Sequence, residues 1–444
     1  MPSDRKNGTG RGVFRLAPAL GAIALLSGCM GGSDRVSQPS AAFAQNQTAQ
    51  ATPGSSAEHS AANSSLIADL QARKSVLPPS GPYAQVADAV IAASAGAAEA
   101  ELRVARLRAD ARAKNWLPSI GPSVNLTSLG GLATSLLLDQ PVFDNGGRRA
   151  QREFAAADVE VAAVSLSTAL NQRVYEGLSY YVNAERARAQ AAVSRGAASH
   201  LAEFSAIMRK RVAGGISDLS EQRVLDQHMA EMQATVAADA QAESAAMAEL
   251  AALAGQPLTG LHGLDSLAPS QTEPLSILKA RGEGARTIAQ SNMQLSGMKL
   301  GIAASAGLGR DGASPGLRMT GTGLLNPGTK SDIAALRQTP DLVDRQNAEA
   351  AEAANRRLVA LQQQRVALAS RQAQGAEVLR QTSGNLDLFT TQYKVGRRTL
   401  LELVSQYDSY ARLQRDQASL GYDIALIDLE IARDRGVLVE GSKL

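Results

Sequence analysis

Apolar positions recur at steps of three and four over most of the chain, the spacing of a helix with one buried stripe. The clearest stripes are Leu225, Met229, Met232, Val236 and Ala240, and then Leu403, Tyr407, Tyr410, Leu413, Leu420, Ile424, Ile427 and Ile431. They predict helices over about 218–254 and 399–435. Each follows a much longer helical stretch, about 148–211 and 331–394. At 1.5 Å per residue such a stretch runs roughly 96 Å, several times an ordinary globular helix, so it must lie in a coiled coil or bundle. Pro340 places the proper start of the second near that residue. A shorter helix precedes each strand region, about 82–115 and 274–296. Trp116-Leu117-Pro118 ends the first of these, because proline disfavours helix in the residue before it.

Between short and long helix the period changes to two. Strands are predicted near 119–129 and 132–143, joined at Gly130-Gly131, and near 299–309 and 316–325, joined through 310–315. Val124-Asn125-Leu126-Thr127 and Leu317-Arg318-Met319-Thr320 alternate apolar with polar, which suits a barrel wall between lipid and water. Four strands cannot close such a barrel, for which about eight are needed. Open edges are not tolerated in lipid, so several chains must share one barrel. Three chains would supply twelve strands.

This order of elements occurs twice. Gly147, Gly215 and Gly255 recur as Gly328, Gly396 and Gly436, each 181 residues later, and Leu219 and Glu221 recur as Leu400 and Glu402. The pattern predicts a duplication, with one repeat over 64–263 and the other over 264–444. Ahead of it, Arg5, Lys6, Arg11 and Arg15 precede an apolar run from Leu16 to Leu26. That run is too short to span a bilayer and reads as a signal peptide over 1–28. Leu26-Ser27-Gly28-Cys29 has the form of a bacterial lipobox, with Cys29 as the lipidated residue; a chance cysteine after an ordinary signal is the bland alternative. Residues 29–63, rich in Ser, Ala, Gln and Asn, read as a disordered tether.

Composition narrows the class. Aromatic residues make up 3% of the chain, which argues against a thick globular core. Forty-five Lys and Arg against 42 Asp and Glu leave the charge near balance, and no basic run points to nucleic acid. The single cysteine excludes an intrachain disulfide. His59, His200, His228 and His262 are scattered, with no metal-ligand spacing. Gly307-Leu308-Gly309-Arg310-Asp311-Gly312 fits a dinucleotide-loop pattern, but a strand rather than a helix is predicted after it. No nucleophile, base and oxyanion-donor constellation appears, so neither an enzyme nor a cofactor is expected.

The second turn, Tyr393-Lys394-Val395-Gly396-Arg397-Arg398-Thr399-Leu400-Leu401-Glu402-Leu403, resembles the signature turn of the TolC family of outer-membrane channels. Arg211 to Glu221 is a weaker copy, and Leu138 to Arg149 resembles the family's entry from strand to long helix. The resemblance covers about 82–436. It implies a mainly α fold: a long-helix antiparallel coiled-coil tunnel, plus four strands contributed to a trimeric membrane β-barrel. It also implies a homotrimer fed by an inner-membrane transporter through a periplasmic adaptor (membrane fusion) protein. The function implied is passive efflux or type I secretion. By position, Tyr393 and Arg398 would close the periplasmic gate against Ser220 and Glu221, with Gly215 and Gly396 at the tip turns. Glu221 stands where the family commonly has Asp. Glu402 matches an acidic ring at the entrance, and Ser405 stands where a second acid would be.

Blander readings accompany each of these. Arg398 and Glu402 are i,i+4 and pair equally well with each other on one helix. Tyr393, Tyr180 and Tyr181 are explained by packing, and Arg209-Lys210-Arg211 by a helix C-terminus that favours cations. Trp116 is a membrane-interface anchor or a packing residue. The rival function is a non-channel structural coiled-coil lipoprotein, which has no use for paired strands. A periplasmic adaptor would have one helical hairpin rather than two.

Overall fold

The computed structural model describes residues 64–128, 131–309, 312–320 and 327–443. The expected signal peptide, Cys29 and the tether lie outside them. The described chain starts at Ser64, whose hydroxyl accepts from the Ile67 amide at 3.4 Å and caps α1 (Ser65–Ala72). This helix was not predicted, since eight residues are too few to show a stripe. The single helix expected over 82–115 is two, α2 (Pro82–Ala92) and α3 (Ala97–Ala113). Gly96, at φ 66°, turns the chain between them.

Strands β1 (Ser119–Ser128) and β2 (Gly131–Phe143) lead into α4 (Gly147–Ala213), whose 67 residues run roughly 100 Å. A tight turn and α5 (Leu219–Ala254) bring the chain back. The second half repeats this order with α6 (Leu275–Met298), β3 (Gly301–Gly309), β4 (Gly312–Thr320), α7 (Thr329–Arg337), α8 (Thr339–Lys394) and α9 (Leu400–Asp434). Pro340 sits in the first turn of α8, where its missing N–H costs nothing. β4 starts at Gly312, not 316 as expected, and Pro315 pairs inside it with Ala306. An outer strand tolerates proline because one side of its ladder is unpaired. The last expected residues of that strand, 321–325, lie outside the described residues.

Both turns close in the same way. Ile216 N donates to Arg211 O at 2.8 Å and Gly215 N to Val212 O at 3.0 Å. In the second turn Arg397 N donates to Gln392 O and Gly396 N to Tyr393 O, each at 2.9 Å. Gly215 and Gly396 take φ of 70° and 76°, which a side chain would strain.

The helices lie side by side in a layer. Toward the strands the order is α3, α4, α6, α8; toward the turns it is α5, α4, α9, α8. Burial follows that order. In α4, 24 of 67 residues are buried, against four of 56 in α8 and four of 36 in α5. α8 is therefore one open edge of the layer, and α3 with α5 is the other. Of the predicted α5 stripe only Leu225 is buried.

The main core surrounds the middle of α4, where α1, α2, α6 and the ends of α5 and α9 converge on Val174, Leu178, Tyr181 and Val182. Arg173 organises this junction. Its guanidinium donates to Val90 O at 3.0 Å and Ala93 O at 3.2 Å at the end of α2, and to Leu253 O at 2.9 Å at the end of α5. Last-turn carbonyls have no partner inside their own helices and carry the negative end of the dipole. Nearer the turns, Ser194 of α4 and Arg415 of α9 both reach the buried Asp239 of α5. Arg173→Met should therefore lower stability by about 2 kcal/mol, read as a reduced urea midpoint by helical circular dichroism. Arg173→Lys should recover only part of the loss, because one ammonium cannot serve three carbonyls in fork geometry.

Candidate functional site

The four strands form one antiparallel sheet in the order β1-β2-β3-β4, so β1 and β4 are open edges. Its register sorts the side chains. Ile120 pairs with Leu138, Pro122 with Leu136, Leu136 with Leu308, Leu308 with Ala313, and Ala304 with Leu317. Alternation along each strand places these residues on one face. The other face carries Ser119, Gly121, Leu137, Asp139, Ser305, Gly307, Ser314, Gly316 and Arg318. The apolar face is bare: Ile120 is 65% exposed, Met319 67% and Leu317 79%. A register shift between Pro141 and Phe143 pairs Phe143 with Ile302 and brings it onto that face. On the polar face Arg318 of β4 approaches Asp139 of β2 across β3, at 3.8 Å.

These strands are 10, 13, 9 and 9 residues long, the length that crosses a bilayer when tilted. Among the described residues no helix is long and apolar enough to cross a membrane. None of their His, Cys, Asp and Glu side chains form a group able to hold a metal ion. Trp116 and Phe143 lie exposed where helices meet strands. Trp116 is fixed there by its carbonyl, which accepts from Gln140 Nε2 at 3.1 Å and Arg148 at 3.2 Å. In the glycine-rich run 307–312, residues 307–309 belong to β3 and Gly312 opens β4, so a strand and not a helix follows.

At the far end, Leu201, Met208, Leu225, Leu400, Leu403 and Val404 form a second core, with Tyr393 half-buried against it. Within one chain Arg398 reaches neither Ser220 nor Glu221. It donates to Glu402 at 3.0 Å and Gln392 at 3.1 Å, and its guanidinium stacks 4.7 Å from the Phe389 ring. The i,i+4 pairing is thus the one formed inside a chain. Ser220 is exposed and Glu221 partly so, and neither has a side-chain hydrogen bond among the described residues. Glu402 is also the third residue of a capping box. Its carboxylate accepts from Thr399 N at 2.8 Å, while Thr399 Oγ1 accepts from Glu402 N at 3.2 Å. Thr399-Leu400-Leu401-Glu402 signals such a box in the sequence, a role the reading of Glu402 as an entrance acid missed. The Thr399 amide, then Arg398, hold the carboxyl below its usual range.

Two histidines have polar neighbours, His200 with Glu203 at 3.5 Å and His262 with Arg188 at 2.6 Å. Arg188 also binds Glu185 and Glu243, and Glu185 accepts from Gly263 N at 2.9 Å. The cluster ties α4 to the linker between halves. Tyr181 is buried there, edge-on to Tyr83, and donates to Gly263 O at 2.8 Å. Residues so distant in sequence gave no signal of this network.

The described chain is thus a slab of long helices carrying a two-faced sheet, open at both sides. The chain has the helical tunnel fold of the TolC-like outer-membrane channels. It resembles the outer membrane protein VceC of Vibrio cholerae, with a TM-score of 0.68 at 16% identity over 80% of this chain and 96% of that one. The MtrE outer membrane channel of Neisseria gonorrhoeae, solved in its open state, matches at 0.64 and 14% over 82% and 91%. The CmeC outer membrane channel of Campylobacter jejuni matches at 0.61 and 11% over 92% and 95%. No protein-family model and no curated protein matches the sequence.

Thr399→Ala should destabilise the first turn of α9 by about 1 kcal/mol, seen as faster amide exchange at Leu401 and Glu402. A lowered carboxyl pKa contributes stability above the unfolded value that is lost as pH falls through the folded one. The same turn should therefore fray below about pH 4, and Glu402→Gln should flatten that dependence.

Proposed function

We propose that this protein is an outer-membrane channel-tunnel that passively conducts substrates from an inner-membrane transporter to the outside, in tripartite efflux or type I secretion. The observation that carries the reading is the sheet: one bare apolar face, one polar face, and two unpaired edges above roughly 100 Å of helix. Lipid leaves no hydrogen-bonding partner for an open edge, so copies of the chain must complete the barrel. A homotrimer gives twelve strands, and the same symmetry joins each α8 edge to a neighbour's α3 and α5. The tips would meet a periplasmic adaptor. Tyr393, Arg398, Ser220 and Glu221 would form the gate between copies, and Glu402 the acidic ring at the entrance. The duplicated order of elements supports repeats divided near residue 263.

A lipid on Cys29 fits this placement. Ser64 donates to Glu160 at 2.5 Å, thirteen residues into α4, which is about 20 Å from the strands. The 35 residues from Cys29 to Ser64 have a covalent reach of roughly 120 Å, ample to return to the membrane. Cys29→Ala should abolish incorporation of labelled palmitate in cells.

Native mass spectrometry and planar-bilayer recording of the purified protein test the main reading. Three chains per complex with small, cation-selective channels are expected. Arg398→Ser, which removes the contacts to Glu402 and Gln392, should raise the single-channel conductance. A monomer that stays silent even with Arg398→Ser would favour the structural coiled-coil lipoprotein.

A further inference from the structure

The chain as a whole is nearly neutral, at +3, but its charge is unevenly placed. Within thirteen residues of the strands, the helix ends carry Arg106, Arg108, Arg112, Lys114, Arg148, Arg149, Arg152, Lys299 and Lys330. Against these nine cations stand four acids, Asp110, Asp144, Glu153 and Asp332. This narrow band therefore holds more positive charge than the entire molecule, and everything else is net acidic.

Little of that charge is neutralised within the chain. Arg149 pairs with Glu153 at 2.8 Å, and Arg148 and Arg152 bond to the Trp116 carbonyl and the Asn115 amide oxygen. Arg106, Arg108, Arg112, Lys114, Lys299 and Lys330 are exposed and make no ion pair among the described residues. The band directly adjoins the apolar sheet face at Trp116, Leu117, Val142 and Phe143, all of them exposed. An aromatic belt at that junction marks the height of lipid headgroups. Cations beside it, on long stems, stand at the level of headgroup phosphates.

We propose that this collar is a binding surface for anionic phospholipid headgroups in the leaflet next to the helices. The inference rests on the membrane placement of the strands given above. Two features on the surface itself select this occupant: the sign of the charge, and its continuity with a face that only hydrocarbon can cover. An acidic protein would match the sign but not the adjoining apolar wall.

Trp116 is the only tryptophan in the chain, and so reports on this height alone. Full-length protein would be reconstituted in phosphatidylcholine vesicles containing either brominated phosphatidylglycerol or brominated phosphatidylcholine at equal mole fraction. Brominated phosphatidylglycerol is expected to quench Trp116 more strongly. The preference should be roughly fivefold for each cation engaged, fall at high salt, and diminish when Arg106, Arg108, Arg112 and Lys114 are all changed to Gln. Equal quenching by both lipids in the unaltered protein would overturn the proposal, as would an undiminished preference in the fourfold variant. Quenching by neither lipid would show instead that the strands are not in the bilayer, and would remove the membrane reading along with the collar.

Discussion

In the proposed membrane placement, backbone hydrogen bonding in an apolar medium is the constraint from which the rest follows. A sheet of four strands with one apolar face can be covered by lipid, but its outer strands cannot. β1 and β4 each leave a row of donors and acceptors without partners among the described residues. The helical layer has the same deficiency in another form. α8 buries four residues in 56, far too few for a helix that is stable alone. Sheet edges and helix edges fall on the same two sides of the molecule, β1 with α3 and α5, β4 with α8. In the proposed assembly, one set of contacts with neighbouring copies would satisfy both.

α4 makes such a thin slab possible. It is packed along its length, first by α3 and α6, then by α5 and α9. Its partners end against it: Arg173 takes up carbonyls at the ends of α2 and α5, while Asn171 and Glu185 accept from the Leu438 and Gly263 amides of the segments that follow α9 and α5. Buried polar side chains thus do here what aromatic bulk does in thicker cores. The two turns at the far end are closed by backbone bonds and αL glycines, and the two hairpins meet there through apolar packing rather than through Arg398, Ser220 and Glu221. Arg398 is engaged locally by Glu402, Gln392 and Phe389, so any gate between copies competes with contacts already made within one.

Much of this was legible in the residues, for identifiable reasons. Periodicity over sixty residues survives local noise, so the long helices were placed to within two or three positions. Gly215 and Gly255 recur as Gly396 and Gly436, all at φ > 0 where other residues are strained, and with Gly147 and Gly328 they exposed the repeated order at a spacing of 181. The two-residue period predicted strands and the polarity of their faces. Signals were weaker where an element is short. α1 went unseen, and the break at Gly96 was hidden inside an alanine-rich stretch with helical propensity on both sides. The capping box at Thr399 was readable and was passed over in favour of a more specific role.

The sequence by itself thus determined the helices, the strands, their turns and the two faces of the sheet, because each depends on the order of nearby side chains. Only the tertiary structure decided which elements lie at the edges. It also decided that Arg318 meets Asp139 across an intervening strand, that Arg173 serves two helix ends, and that Glu185, Arg188 and His262 form one cluster. Apart from Glu185 and Arg188, which share α4, these pairings join residues 74 to 179 positions apart. They depend on register and packing, which no local pattern encodes.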